Sequence, residues 1–127
     1  MEFKENQAIY LQIADLMAEN ILAGVWKPGD RIPSIRELAE TTEVNPNTVM
    51  RTYGYMEDQG IITNQRGIGF FLSDRAHEIT TELKKKSFVS RDLPHVFRTM
   101  DLLRLGMEDL AAYYAAHREK TGKEKAS

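Results

Sequence analysis

The sequence predicts a mainly α chain with one small β-hairpin. Three observations predict it. Apolar residues recur at helical spacing in three consecutive segments before residue 60. Two β-prone runs then flank a turn at residues 61–72. Helical periodicity returns after residue 75 and persists to about residue 118.

The first helix is expected over residues 7–23, with Ile9, Ile13, Leu16, Met17 and Ile21 forming one apolar stripe and Gly24 ending it. Trp26 is expected to fold back on the core. Pro28-Gly29-Asp30 is a turn, because proline presets φ at one corner and glycine accepts positive φ at the next. Arg31-Ile32-Pro33 reads as a short extended piece, since the residue before proline avoids the helical region. Ser34 and Glu37 form a capping box for a second helix at residues 35–42, with Leu38 and Ala39 inward. Asn45 caps a third helix at residues 46–58, and Pro46 suits its first position. Val49, Tyr53 and Met56 point to its core side, Tyr55 to the surface, and Gly60 ends it. Gly54 lies inside this helix with no evident reason. The runs IIT and IGFFL make the hairpin, with its turn around Asn64–Gly67.

Helices two and three, joined by a tight turn and followed by a hairpin, are a winged helix-turn-helix arrangement. In such motifs the second helix of the pair enters the DNA major groove and reads bases with its N-terminal residues. Those residues are Asn45, Asn47, Thr48 and Arg51. Arginine can hold guanine O6 and N7 with two parallel bonds, and asparagine can do the same for adenine N6 and N7. Thr48 suits a phosphate or a thymine methyl. Arg36 on the preceding helix and Arg66 at the hairpin tip are placed for backbone or groove contacts, and Gly67 and Gly69 allow close approach. Each has a plainer reading beside it. Arg51 could be a solvated helix residue, Arg66 a turn residue, Asn45 only a cap, and Arg36 a partner of Glu40 one turn on.

Residues 76–120 carry two further helical patterns, about 76–88 and 93–118, the second interruptible at Gly106. Their apolar set of Val96, Phe97, Met100, Leu103, Leu110, Tyr113 and Tyr114 is too small for a core of its own. Packing on a second copy is the expectation, ahead of an effector pocket. Domain limits are therefore 1–75 for the winged helix and 76–120 for a two-helix dimerisation region, with 121–127 a disordered tail.

Composition sets the bounds. Hydrophobic residues make up 42% and charged residues 28% of the 127, ordinary values for a globular chain. There is no cysteine, which excludes disulfides and thiolate metal sites. His77, His95 and His117 are too scattered for a metal, and Lys84–Lys86 reads as a solvated face. No nucleophile–base pair, acid pair or phosphate loop suggests an enzyme, and no cofactor is expected. The N-terminus lacks a signal-peptide stretch, and no apolar run approaches the roughly 20 residues that span a bilayer. A cytoplasmic protein without a membrane partner is expected. Charge runs against DNA: the net charge is -2, and residues 1–75 hold 7 Lys+Arg against 11 Asp+Glu. Placement of the few arginines has to decide.

The segments AIYLQIADLMAENILAG, PGDRIPSIRELAE, VNPNTVMRTYGYMEDQGII and RGIGFFL together resemble the N-terminal domain of the GntR family of bacterial regulators, over roughly residues 8–72. The short remainder resembles the YtrA-type subfamily, in which a small helical appendage serves dimerisation. The resemblance implies a cytoplasmic transcriptional regulator, most simply a repressor, that binds a palindromic operator as a homodimer. It places the family's contacting arginine at Arg36, the polar start of the recognition helix at Asn45, Asn47 and Thr48, and the wing's basic residue at Arg66, followed by Gly67. Many members have arginine where this chain has Pro46, so that base contact is either lost or moved to Asn47 or Arg51, and an operator different from the family's usual one is expected. Two rival readings remain: a winged helix used for protein–protein interaction, which the acidic N-terminal half favours, and a sensor whose chief event is binding a small-molecule effector.

Overall fold

The computed structural model describes residues 7–126, with side chains to residue 123. Residues 1–6 and 127, assigned above to the first domain and the tail, lie outside the described residues. Helices α1 (Ile9–Leu22), α2 (Ile35–Thr42) and α3 (Pro46–Asp58) precede strands β1 (Ile62–Gln65) and β2 (Gly69–Leu72). Then come α4 (Ala76–Ser87), a π-helical stretch at Phe88–Asp92, α5 (Leu93–Leu103) and α6 (Met107–Ala126). The chain divides into two compact units, residues 1–84 and 85–127.

The first unit has one core. Ile13, Met17 and Ile21 of α1 meet Leu38 and Ala39 of α2, Val49, Tyr53 and Met56 of α3, and Ile32, Ile61, Ile62 and Leu72 around the hairpin. Full burial of a side chain the size of Ile13 or Met17 contributes about 1.5–3 kcal/mol. The apolar stripe of α1 is rotated from its expected position. Ile9 is 47% exposed and Leu16 half-buried, while Gln12, Ala14 and Ala18 are buried. α1 packs on α3. Trp26 packs against the core as expected.

The hairpin pairs Ile62 with Leu72 and Gln65 with Gly69 in antiparallel register. Asn64 and Gln65 thus belong to the strand, and the turn lies at Arg66–Ile68, later than the sequence suggested. Ile68 N–H donates to Gln65 O at 2.9 Å, and Gly67 takes the φ of +76° that this corner needs. The extended piece at residues 29–32 is a third edge: Ile32 N–H donates to Phe70 O, and Leu72 N–H to Asp30 O, both at 2.9 Å. The Lys27–Asp30 turn, with Gly29 at φ +84°, delivers the chain to this edge.

The compact unit runs past residue 75. Ala76 is buried in the core, and Ile79 and Leu83 pack against it. Lys84 Nζ reaches Asp15 on α1 at 3.2 Å. In the second unit the residues from 93 onward form two helices, divided beside Gly106 where the sequence allowed a break. Arg104 enters the left-handed region at φ +57°, and Leu105 and Gly106 complete the break. α6 extends to Ala126, into the segment expected to be a tail.

Candidate nucleic-acid interface

The α2–α3 pair is held by local chemistry at each end. The Ser34 hydroxyl accepts from Glu37 N–H at 3.1 Å, and the Glu37 carboxylate accepts from Ser34 N–H at 3.2 Å. The Ser34 backbone N–H and, next, the Ser34 hydroxyl hold the Glu37 carboxyl below its ordinary value, and Arg31 adds a smaller pull. α2 ends on Glu43 at φ +56°, a left-handed conformation that costs a side-chain-bearing residue about 1–2 kcal/mol. That single residue makes the turn between the helices tight. α3 then starts on Asn45, whose Oδ1 accepts from Asn47 N–H at 2.8 Å. The cap uses the carbonyl of the Asn45 amide and leaves its NH₂ to donate outward.

α3 buries Val49, Thr52, Tyr53 and Met56 and turns Asn47, Met50, Arg51, Gly54 and Asp58 outward. Tyr53 locks its other side. The phenol donates to Pro33 O at 2.5 Å, and the ring meets Phe70 of β2 edge-on, centroids 4.8 Å apart at 88°. Burial, with Glu37 adding to it, pushes the Tyr53 phenol well above its ordinary value of 10.0. One side chain thus sets α3 against both Pro33, just past the extended piece, and the wing.

The seven residues singled out from sequence fall as follows. Arg36 is exposed near the start of α2, and the alternative pairing with Glu40 does not form. Asn45 is the α3 cap, Asn47 is exposed in the first turn, and Thr48 is half-buried. Arg51 is exposed and lies over the Tyr10 ring, its Cζ 3.9 Å from the centroid. Arg66 and Gly67 form the exposed corner of the wing. Asn47, Thr48 and Arg51 share α3, which Asn45 caps, while Arg36 stands on α2 and Arg66 in the turn between β1 and β2.

Among the described residues the ion pairs are Arg75–Glu78 and Lys84–Asp15. Among these residues no acid lies within 4 Å of Arg31, Arg36, Arg51 or Arg66, although the sequence of their unit carries net negative charge. The described residues hold no group of three His, Asp or Glu able to bind a metal, and no helix long and apolar enough to cross a membrane.

Sequence reasoning passed over two residues here. Arg31 forms an isolated bridge with Phe71 of the wing, and its Nε lies 2.8 Å from where a Cβ on Gly69 would stand. The basic residue in PGDRIP was visible, but the edge pairing that places it was not. Tyr10 supports Arg51, and nothing in the spacing of α1 marked it.

Residues 9–72 match the family described as bacterial regulatory proteins, gntR family. The HTH-type transcriptional regulator YhcF of Bacillus subtilis is 47% identical over 85 residues, covering 67% of this chain and 69% of that protein. The HTH-type transcriptional repressor YtrA of the same organism is 43% identical over 81 residues, covering 64% of this chain and 62% of its own length. A solved transcriptional regulator of the GntR family from Bacteroides thetaiotaomicron is 38% identical with a TM-score of 0.73, covering 90% of this chain and 99% of that one. With the capped helix pair, the wing and the unneutralised arginines in place, the chain belongs to the GntR family of DNA-binding transcriptional regulators.

Proposed function

We propose that the protein is a transcriptional repressor that binds a two-fold symmetric operator as a homodimer. Each protomer inserts α3 in a major groove, with Asn47 and Arg51 reading base edges and Asn45 and Thr48 contacting the DNA at the helix start. Arg36 and the wing corner at Arg66-Gly67 hold the phosphate backbone beside it. The observation that carries this reading is the outward face of α3: it presents Asn47 and Arg51 without an acidic partner, from a helix whose start and rotation are fixed by Asn45 and Tyr53. The naming of the similar YtrA as a repressor supports the direction of regulation.

The second unit supports the dimer. Phe88, Val89, Phe97, Leu102, Leu103, Met107, Tyr113 and Tyr114 are all about half exposed or more. A groove of about 530 Å³ between α5 and α6 is lined by Phe88, Leu93, Val96, Met107, Leu110 and the two tyrosines. So much apolar surface marks an interaction site, and a second copy of the same helices supplies matching apolar side chains.

Selection of sites from a random duplex pool with purified protein tests the operator. Enrichment of a two-fold symmetric site supports the proposal, with half-sites about one helical turn apart or a multiple of it. Arg51→Ala should then weaken binding to that site by about 1–3 kcal/mol. An equal loss on unrelated DNA would reduce Arg51 to a phosphate contact. The acidic first unit favours one other reading, a winged helix that binds protein. Affinity for DNA that does not fall as salt rises, with no site enriched, would overturn the operator reading and favour that alternative.

A further inference from the structure

We propose that Tyr10 is a positioning residue for Arg51, its ring serving as the platform that presents the guanidinium to DNA. The inference rests on the reading of Arg51 as a base contact and states how that contact is prepared.

Arg51 Cζ stands 3.9 Å from the centroid of the Tyr10 ring. The platform is fixed from two directions. Tyr10 O accepts from the hydroxyl of Thr52, a fully buried residue, at 2.8 Å. The ring meets Tyr55 edge-on, centroids 6.3 Å apart at 74°. Thr52 and Tyr55 are one and four residues beyond Arg51 on α3, so the reading helix builds the support for its own arginine.

The geometry of a guanidinium explains the value of this arrangement. Its five N–H donors lie in one plane, and its faces carry none. A carboxylate partner would occupy the edge of the fork that grips guanine O6 and N7. A ring beneath the face leaves that edge open while restricting the side chain. A mobile arginine gives up rotamer freedom when it binds, whereas a stacked one has given up part of it beforehand. No acid within 4 Å competes for Arg51 among the described residues. Asn47 stands one turn earlier on the same outward face, so the platform holds Arg51 beside the other proposed reading residue.

The test is a double-mutant cycle. Affinity for the selected operator and for unrelated duplex is measured by fluorescence anisotropy for wild type, Tyr10→Leu, Tyr10→Phe, Arg51→Ala and the Tyr10→Leu/Arg51→Ala pair. Tyr10→Met, which also lacks a ring face, replaces Tyr10→Leu if thermal melts show that variant unfolded. Tyr10→Leu should weaken operator binding about three- to tenfold and leave unrelated DNA unchanged. Tyr10→Phe, which keeps the ring, should stay near wild type. In the Arg51→Ala background the Tyr10 change should add nothing. A loss of the same size in that background would make Tyr10 a structural residue only. Tighter operator binding by Tyr10→Leu would mean that the ring withholds Arg51 from DNA. If Arg51→Ala binds the operator as well as wild type, the reading of Arg51 fails and the platform fails with it. If Arg51→Ala weakens binding and Tyr10→Leu does not, the platform alone is overturned.

Discussion

Removing the Tyr53 hydroxyl should cost stability at neutral pH and return part of it in alkali. Tyr53 is 1% exposed, and its phenol donates to Pro33 O. Tyr53→Phe keeps the ring and its edge-on contact with Phe70 but leaves that carbonyl short of a partner. An abandoned buried acceptor costs about 1–3 kcal/mol. Pro33 is half-buried, so water can replace part of the bond, and the expected loss is about 1–2 kcal/mol. For a unit of this size each kcal/mol lowers Tm by about 4–8 °C. The pH dependence has a definite sign. The folded phenol is raised above its ordinary 10.0, so the folded state holds a proton that the unfolded chain releases. The stabilisation is complete below pH 10.0 and is lost as pH climbs above it, by up to about 1.4 kcal/mol per pH unit. Tyr53→Phe has no proton to lose at this position. Urea unfolding of both proteins from pH 7 to 11 should therefore show a gap that is constant up to pH 10 and narrows beyond it. A gap that stays constant through pH 11 would refute the account of Tyr53 as a buried, neutral donor. A gap below about 0.5 kcal/mol at pH 7 would mean that the hydrogen bond to Pro33 contributes little.

Four further outcomes follow from the geometry. Ser34→Ala removes the α2 cap and should lower stability by about 1 kcal/mol in denaturant titrations, because Glu37 N–H loses its acceptor. The Glu37 carboxylate stabilises α2 only while ionised, so its contribution is full above its ordinary 4.5 and fades as pH falls below it; Glu37→Gln should flatten that acid limb of the stability curve. Gly54→Ala should raise stability by about 0.5–1 kcal/mol, since a Cβ there meets nothing within 4 Å and the backbone is helical. Gly69→Ala should destabilise by about 1–3 kcal/mol in the same titrations, because its φ of +147° is strained for alanine and its Cβ would strike Arg31.

Local signals carried most of the first unit. The Ser34–Glu37 box, the Asn45 cap and Pro46 each act within a few residues, and each appears where the sequence put it. Features that depend on distant partners were less legible. The third edge of the sheet needs residues 29–32 and 70–72 side by side, and no pattern within PGDRIP encodes that pairing. Thr52 was readable in principle. It lies on the buried face with Val49, Tyr53 and Met56, but a hydroxyl at that spacing declares itself only through its acceptor, Tyr10 O, 42 residues away. The Arg104 break is similar, a left-handed turn at a residue whose identity does not demand one. In the wing, the repeated glycines left the register ambiguous by a residue or two, and pairing of Gln65 with Gly69 decides it.

The acidic balance of the first unit misleads for a related reason. Net charge counts each side chain equally, whereas recognition depends on which charges are already neutralised. Glu37 serves its own helix terminus, and Asp30 accepts from Lys27 N–H in the turn that feeds the edge strand. Asp15 holds Lys84. Acids that compose the fold in this way do not cancel the cations on other elements. Among the described residues Arg36, Arg51 and Arg66 have no acid within 4 Å, and Arg51 lies over the Tyr10 ring instead. A sequence count of -4 for residues 1–75 is therefore compatible with an arginine-bearing face, and the distinction can be seen only when each acid's partner is known.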